Sequence, residues 1–231
     1  IDSLEQANRL ISLTSDISNS SFVNLTLQST DGVIESDALS LTHVVNNGIT
    51  VFDGSSPTVV VTDTEISPQN AISLSRAFVD LTDKSIIKGS TAQFDQIREL
   101  SDINGLLIEG VSLLRQDELP IVSKSDVFTL ANKGVVFNHP EGLSLYTLSE
   151  EEISPIEAIE LNSLAADLTD KPVVFDGYLP ESLAVDLSSI NGVDLSGIFV
   201  REGDLNNSQI QELEIKGSKV NHLPNIIIED S

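Results

Sequence analysis

The nine residues ISPQNAISL at positions 66–74 return as ISPIEAIEL at positions 153–161. Each stretch leads into the same five residues, DLTDK, at positions 80–84 and again at 167–171. The offset is 87 residues in both cases. Self-similarity at a fixed period is typical of an array of similar structural units. The chain therefore carries an internal duplication, and this duplication decides the fold prediction.

The period extends beyond these two stretches. SDING at 101–105 aligns with SSING at 188–192 at the same offset, and SDAL at 36–39 resembles SDVF at 125–128. Downstream, the pair Lys-Gly at 133–134 returns at 216–217. About two and two-thirds copies of one long repeat fit the chain. We predict one continuous repeat array over residues 1–231, made of a partial copy 1–34, long repeats 35–121 and 122–208, and a partial copy 209–231.

Each long repeat divides into about three helix–strand units, and the unit that begins at Ser154 shows the pattern best. Ser154 is a favoured helix N-cap, and Pro155 is tolerated at the first helical position. Apolar residues then recur at helical spacing as far as Leu168, which predicts a helix that ends at residues 169–172. VVF at 173–175 predicts a short buried strand. In the neighbouring units a glycine, at 105 or 192, provides the left-handed residue that ends a helix.

About eight such units, each of roughly 25 to 32 residues, make up the array. One amphipathic helix and one strand of three to five residues cannot bury their apolar faces alone, whereas stacked units can. The pattern predicts an α/β solenoid with a parallel ribbon of strands, a row of helices and right-handed crossovers. The alternative is two similar compact α/β domains. Extra strands predicted at 58–61 and 143–146 motivate it, because an ordinary solenoid coil does not need them.

Composition excludes several classes of function. The 231 residues include 12 Lys and Arg and 36 Asp and Glu, which gives a net charge of −24. Nucleic-acid binding requires a basic surface, so a nucleic-acid partner is not expected. The absence of cysteine excludes disulfides, thiolate nucleophiles and cysteine-ligated zinc or iron–sulfur sites. No apolar run is long enough to span a bilayer, so we expect no direct membrane insertion.

The stretches DALSL at 37–41, GITVFD at 48–53 and TVVVTD at 58–63 carry a resemblance. They resemble repeats of very large exported bacterial proteins of the hemolysin and adhesin type, in which Ala/Leu-rich helices alternate with strands that end in Asp. The resemblance implies a structural or adhesive role in an extracellular or cell-surface setting, with calcium nearby. The Gly-Gly-x-Gly-x-Asp nonapeptide of calcium-binding rolls does not occur here, so no calcium site is carried over from that family.

Aspartates recur at the ends of the predicted strands and helices, and calcium prefers six to eight oxygen ligands. Aspartate also favours turns through its own backbone geometry, so both explanations stay open. The three histidines, His43, His139 and His222, are expected to be loop residues with local hydrogen bonds. The acidic runs 117–118 and 150–152 are expected to be solvated connections. The candidate calcium ligands are Asp53, Asp63, Asp176 and Asp204.

The recurrence of scaffold residues, without a once-only polar cluster, predicts a non-catalytic structural or adhesive segment of a large secreted or cell-surface protein. Such a segment would act as a spacer, sheath, surface-layer element or filament, with neighbouring repeats or copies of itself as end-to-end partners. The first alternative is a calcium- or glycan-binding extracellular module whose partners include surface glycans. A polysaccharide-acting enzyme is the third hypothesis. It is disfavoured because enzymes of this class stack sugar rings on aromatic side chains, and the chain has only two Tyr and no Trp.

Overall fold

The computed structural model describes residues 3–14, 25–27, 29, 32–51, 58–139, 141–201, 203 and 205–221. Within these residues the chain forms eight α-helices that alternate with short β-strands. The helices are α1 (Leu4–Thr14), α2 (Ala38–Asn46), α3 (Pro68–Arg76), α4 (Phe94–Asp102), α5 (Lys124–Asn132), α6 (Pro155–Ser163), α7 (Glu181–Ser188) and α8 (Asn207–Ile215). The strands are β1 (Val33–Ser36), β2 (Thr58–Val61), β3 (Glu65–Ile66), β4 (Ser85–Ile86), β5 (Thr91–Ala92), β6 (Ser112–Leu113), β7 (Ile121–Val122), β8 (Tyr146–Leu148), β9 (Ala166–Asp167), β10 (Tyr178–Leu179), β11 (Phe199–Arg201) and β12 (Lys219–Asn221).

The strands pair in small parallel sheets. Two sheets have three strands, in the orders β7-β8-β9 and β10-β11-β12, and the pairs β1-β2, β3-β4 and β5-β6 form two-stranded sheets. Every one of these pairings is parallel. Parallel neighbours need a crossover connection, and helices of about nine residues supply most of them here. The predicted mixed α/β class with short parallel strands is confirmed at this level.

The chain divides into two compact units. The first unit comprises Ile1–Leu114 and Thr129–Val136, and the second comprises Arg115–Phe128 and Phe137–Ser231. The interior of each unit is mostly aliphatic. In the first it includes Leu41, Ile66, Leu74, Ile97 and Leu100, and in the second Tyr146, Leu161, Leu187, Leu195 and Val200, all at most 1% exposed.

The two stretches that share sequence at an offset of 87 also share local structure. Helix α3 begins at Pro68 and α6 at Pro155, and in each case the preceding serine hydroxyl accepts a backbone N–H three residues on, at 3.3 Å. Later in each copy the Ile86 N–H donates to the Leu107 carbonyl, and the Val173 N–H to that of Asp194, both at 2.8 Å. The copies therefore match in helix starts and in strand pairing.

The predicted end of the helix that starts at Pro155 is wrong. The helix stops at Ser163, because Ala165 adopts a left-handed backbone (φ 61°) and its N–H bonds back to the Asn162 carbonyl. Phe78 ends α3 in the same way, with φ 60°, and the Val79 N–H reaches the Leu74 carbonyl as in a Schellman motif. Helical spacing cannot show this stop, since glycine is the usual residue there.

The predicted burial of Val174 is also wrong, because Val174 is exposed where a buried strand was expected. Phe78, the left-handed residue that ends α3, is 78% exposed as well. The predicted strand 173–175 is reduced to an isolated bridge between Ile153 and Val173. Of the predicted extra strands, 58–61 is β2, while the strand expected at 143–146 begins only at Tyr146.

Candidate functional site

The four predicted calcium ligands are not all placed by the structure. Asp53 and Asp204 lie outside the described residues. Asp63 accepts a hydrogen bond from the Ala38 N–H through Oδ2 at 2.6 Å, and Asp176 is exposed at the bend before β10. Among the described residues no group of three or more Asp, Glu or His side chains is arranged to hold a metal ion. Calcium binding by the four aspartates stays a prediction.

Asp63 has a counterpart in the second unit, 87 residues further on. Glu150 Oε1 accepts the N–H of Lys124 at 2.9 Å, as Asp63 accepts that of Ala38. Each acceptor is therefore a carboxylate that follows a strand and caps the first turn of the helix before it. An anion is favoured there because the first backbone N–H groups of a helix lack partners and the helix dipole is positive at that end. This contact gives both carboxylates a structural role.

Four of the twelve cationic side chains repeat their contacts in the same manner. Lys84 Nζ donates to the Val61 carbonyl at 2.7 Å, and Lys171 Nζ donates to the carbonyls of Leu148 at 2.9 Å and Glu150 at 2.5 Å. Lys133 Nζ donates to the Ser101 carbonyl and Lys216 Nζ to the Ser188 carbonyl, in the last turns of α4 and α7. Cations are favoured at the carbonyl end of a helix. Each of these four lysines joins one helix–strand unit to an adjacent one through a backbone carbonyl.

The described histidines contact polar groups close to them, and the acidic runs are largely exposed to solvent. His43 lies in helix α2, contrary to the expectation of a loop, and its Nδ1 lies 3.2 Å from Asn8 Oδ1. His139 Nδ1 accepts the N–H of Glu141 at 3.2 Å, which agrees with a loop histidine. His222 lies outside the described residues. Asp117, Glu118, Glu151 and Glu152 are exposed.

An open groove of about 600 Å³ lies in the first unit, lined by residues 101–109 and 132–134. Its lining is the turn after α4 and the turn after α5. The Lys133 ammonium in it is bonded to the Ser101 carbonyl at 2.5 Å. Because Lys216 makes the same contact with Ser188 in the second unit, this lysine belongs to the repeated framework of the turns.

A half-buried ion pair in the second unit joins the starts of helices α5 and α6. Lys124 Nζ lies 2.7 Å from Glu157 Oε1, and Glu157 Oε2 accepts the Ser154 N–H at 2.8 Å to complete a capping box at α6. The Lys124 ammonium and the Ser154 N–H hold the pKa of the Glu157 carboxyl below its usual value. The carboxylate therefore links α5 to the start of α6.

Glu157→Gln is expected to lower the free energy of unfolding by about 0.5–1 kcal/mol at pH 7, because glutamine keeps the capping acceptor but loses the ion pair. Since folding lowers the pKa of Glu157, its contribution is complete above the unfolded pKa, about 4.3, and is lost as pH falls through the folded pKa. Urea unfolding at pH 7, 5 and 3 measures this. The exposed Glu160→Gln on the same helix is the control. A difference from wild type that persists unchanged at pH 3 would contradict the assignment.

A second cluster lies on the outer face of β10, β11 and β12. Tyr178 and Phe199 face each other across β10 and β11, and Phe199 faces Lys219 across β11 and β12. The rings of Tyr178 and Phe199 meet edge to face with centroids 6.2 Å apart. Arg201 lies 4.7 Å from the centre of the Tyr178 ring, and Lys219 Nζ lies 5.3 Å from that of Phe199. We call this cluster the aromatic–cation ladder: Tyr178, Phe199, Arg201, Lys219 and Asn221.

Asn221 fixes the Tyr178 ring across the sheet. Its Nδ2 donates to the Tyr178 hydroxyl at 2.6 Å, so the ring extends from β10 over β11 to β12. Sequence reasoning missed this ladder, because Phe199 lies in the apolar triplet 198–200 and such a triplet suggests a strand buried on both faces. The alternation of inward and outward residues along a strand could have revealed it. Val200 is fully buried, while its neighbours Phe199 and Arg201 are exposed.

Comparison of the chain with models of protein families, with curated proteins and with solved structures finds no match in any of the three. Each described helix is too short or too polar to traverse a lipid bilayer.

Proposed function

We propose that this chain is a non-catalytic structural segment of a large secreted or cell-surface protein, built as an α/β solenoid of helix–strand units. The observation that carries the proposal is the repetition of its polar contacts. A side chain kept for catalysis or for one ligand occurs once, whereas a side chain that holds a unit to its neighbour recurs with the repeat.

The recurring contacts include charged side chains, which are the groups most often used in active sites. Lys84 and Lys171 occupy equivalent positions and both donate to backbone carbonyls. Asp63 and Glu150 are equivalent and both cap a helix. These lysines and carboxylates serve the framework in both copies. The groove lined by residues 101–109 and 132–134 fits this account, since its lysine makes a contact that is also repeated.

The surface charge supports an extracellular setting. At a net charge of −24, copies of the chain repel one another at low ionic strength. A saline medium screens charges more than about 8 Å apart and relieves this repulsion. In such a medium the acidic surface keeps a long array soluble, and a spacer, sheath or surface-layer element requires that property.

The proposal is tested by deleting one complete repeat, residues 64–150, so that Asp63 is followed by Glu151. Because residues 63 and 150 are equivalent, every unit keeps a neighbour of the correct type, and we expect a folded protein. Circular dichroism should show unchanged ellipticity per residue, and urea should unfold the variant cooperatively.

A deletion of residues 64–138 is the control, since it has a similar length but joins positions that are not equivalent. It is expected to give a poorly folded chain. An unfolded 64–150 deletion would contradict the modular scaffold, and so would two deletions that behave alike. Turnover of esters, glycosides or phosphoesters by the intact chain would contradict the non-catalytic assignment independently.

A further inference from the structure

The aromatic–cation ladder occupies a position where the first unit carries different side chains. Thr91 and Ser112 lie 87 residues before Tyr178 and Phe199, and they pair across β5 and β6 as their counterparts pair across β10 and β11. Ser112 in turn forms a bridge with Val136, where Phe199 pairs with Lys219. The same three-stranded position thus holds Thr, Ser and Val in one unit and Tyr, Phe and Lys in the other.

This comparison separates the ladder from the framework. The first unit forms its strand pairing with small side chains at these outward positions, so the fold does not require aromatic rings there. Tyr178 is nevertheless 46% exposed and Phe199 39% exposed. Eight Phe and two Tyr are the only aromatic residues apart from histidine in the chain, and two of these ten share one outer face. The two rings are adjacent, and a contiguous exposed apolar patch is a feature of interaction surfaces.

The cations of the ladder contact aromatic rings and not carboxylates. Within the described residues neither Arg201 nor Lys219 has a carboxylate oxygen within 4.0 Å, and each lies over a ring. The Arg201 guanidinium lies over the Tyr178 ring, with its Cζ 4.7 Å from the ring centre. A guanidinium is a planar fork of N–H donors, and such a fork matches a carboxylate bidentately.

The ladder therefore offers three kinds of contact on one face. Two rings present apolar surface, a guanidinium and an ammonium attract an anion, and the Asn221 amide has further hydrogen-bonding capacity. A sugar ring that bears a carboxylate matches all three, through its C–H face, its carboxylate and its hydroxyls.

We propose that the ladder binds a carboxylated sugar residue of a surface polysaccharide, of the uronic-acid type. The exposed faces of Tyr178 and Phe199 pack on the sugar ring, Arg201 binds the carboxylate with support from Lys219, and Asn221 reaches a hydroxyl. This assignment adds a ligand to a chain that otherwise acts as a scaffold, and it gives an adhesive role a definite surface.

Titration calorimetry of the intact chain with tetragalacturonate and with tetraguluronate tests the proposal. Fully methyl-esterified tetragalacturonate keeps the sugar rings without their charge and is expected to bind at least tenfold more weakly. Tetraglutamate keeps four carboxylates without sugar rings and is also expected to bind weakly. Failure of both uronates to bind overturns the proposal, and equal binding of tetraglutamate overturns it in favour of an acidic peptide site.

Variants locate the binding. Arg201→Gln should weaken uronate binding about tenfold through loss of a charged hydrogen-bonded pair. The double change Tyr178→Thr with Phe199→Ser, which installs the residues of the first unit, should abolish it while leaving the melting temperature within a few degrees. Arg98→Gln on α4 changes the net charge equally and should leave the affinity unaltered. Loss of affinity in Arg98→Gln equal to that in Arg201→Gln overturns the ladder as the site.

Tyrosine fluorescence gives a second measurement of the same contact. The chain has two Tyr and no Trp, and Tyr146 is fully buried. In a Tyr146→Phe background the emission comes from Tyr178 alone, so saturation with tetragalacturonate should change it in parallel with the calorimetric curve. Binding with no change in this emission overturns the participation of Tyr178.

Discussion

Gly105→Ala is expected to lower the free energy of unfolding by about 2–3 kcal/mol, through two separate physical effects. Gly105 has a φ of +74°, a backbone conformation that costs a residue with a Cβ atom roughly 1–2 kcal/mol. An added Cβ would also lie 3.0 Å from Thr82 Cγ2 and 3.1 Å from Thr82 Cα. The methyl group of Thr82 can rotate away, but its Cα belongs to the backbone, so the turn itself must move.

Gly89→Ala is the matched control for this prediction. Gly89 has a φ of +76°, almost the same as Gly105, but a Cβ added to it meets no atom within 4 Å. We expect Gly89→Ala to show only the backbone cost, about 1–2 kcal/mol. Urea unfolding followed by circular dichroism gives both values. Equal losses in the two variants would contradict the importance of the close approach to Thr82.

The second unit offers an independent repetition of the experiment. Gly192 has the same φ of +74°, and a Cβ added to it would lie 3.1 Å from Thr169 Cα. Thr82 and Thr169 are the same residue of the repeated DLTDK stretch. Gly192→Ala should therefore resemble Gly105→Ala and not Gly89→Ala. A small effect in Gly192→Ala beside a large one in Gly105→Ala would show that the copies differ where the structure makes them alike.

These glycines also show how far sequence reasoning reaches. The spacing of Asn-Gly after a helix predicted a left-handed residue at 105 and 192, and the structure has both at positive φ. The contact with the DLTDK threonine was not predictable, because it depends on how closely one helix–strand unit lies against the preceding helix–strand unit. Local conformation is encoded in neighbouring residues, whereas a close approach depends on packing between elements 23 residues apart, as Thr82 and Gly105 are.

The strands were harder to predict than the helices. Most strands here have only two to four residues, and so short a stretch shows little alternation between its two faces. An apolar triplet such as 198–200 reads as buried throughout, although Phe199 in its middle points outward and carries the ladder. The candidate binding surface was missed for this reason, since it consists of outward residues from three strands that only the pairing brings together.

The predicted calcium ligands illustrate a different limit. An aspartate directly after a strand can coordinate a cation, terminate a turn or cap a helix, and composition does not distinguish these roles. At Asp63 the structure shows a cap, because the carboxylate accepts the Ala38 N–H at 2.6 Å. The occurrence of glutamate in the same role at 150 supports this interpretation. A longer side chain can still reach a helix N-terminus, whereas it would alter the geometry of a calcium loop.

Lys171→Met is expected to lower the free energy of unfolding by about 2–4 kcal/mol, since the Lys171 ammonium donates two hydrogen bonds to backbone carbonyls. Hydrogen bonds that involve a charged group contribute about 1.5–3 kcal/mol each, and two that share one donor are not fully additive. Methionine preserves the aliphatic stem, so the loss reports the ammonium. The Leu148 and Glu150 carbonyls would have to find water in a partly buried position.

Two further variants make the Lys171 prediction specific. Lys84→Met in the first unit removes a single bond, to the Val61 carbonyl, and should cost about half as much. Lys88→Met removes an exposed lysine and should stay within about 0.5 kcal/mol of wild type. Urea unfolding at pH 7 in low and high salt measures all three. If attraction to the surrounding acidic surface were the main effect, added salt would remove the loss in Lys171→Met, and Lys88→Met would show a similar loss at low salt. Because the acceptors are backbone carbonyls in contact with the ammonium, we expect the loss to persist in 1 M salt, where charges more than about 3 Å apart are screened.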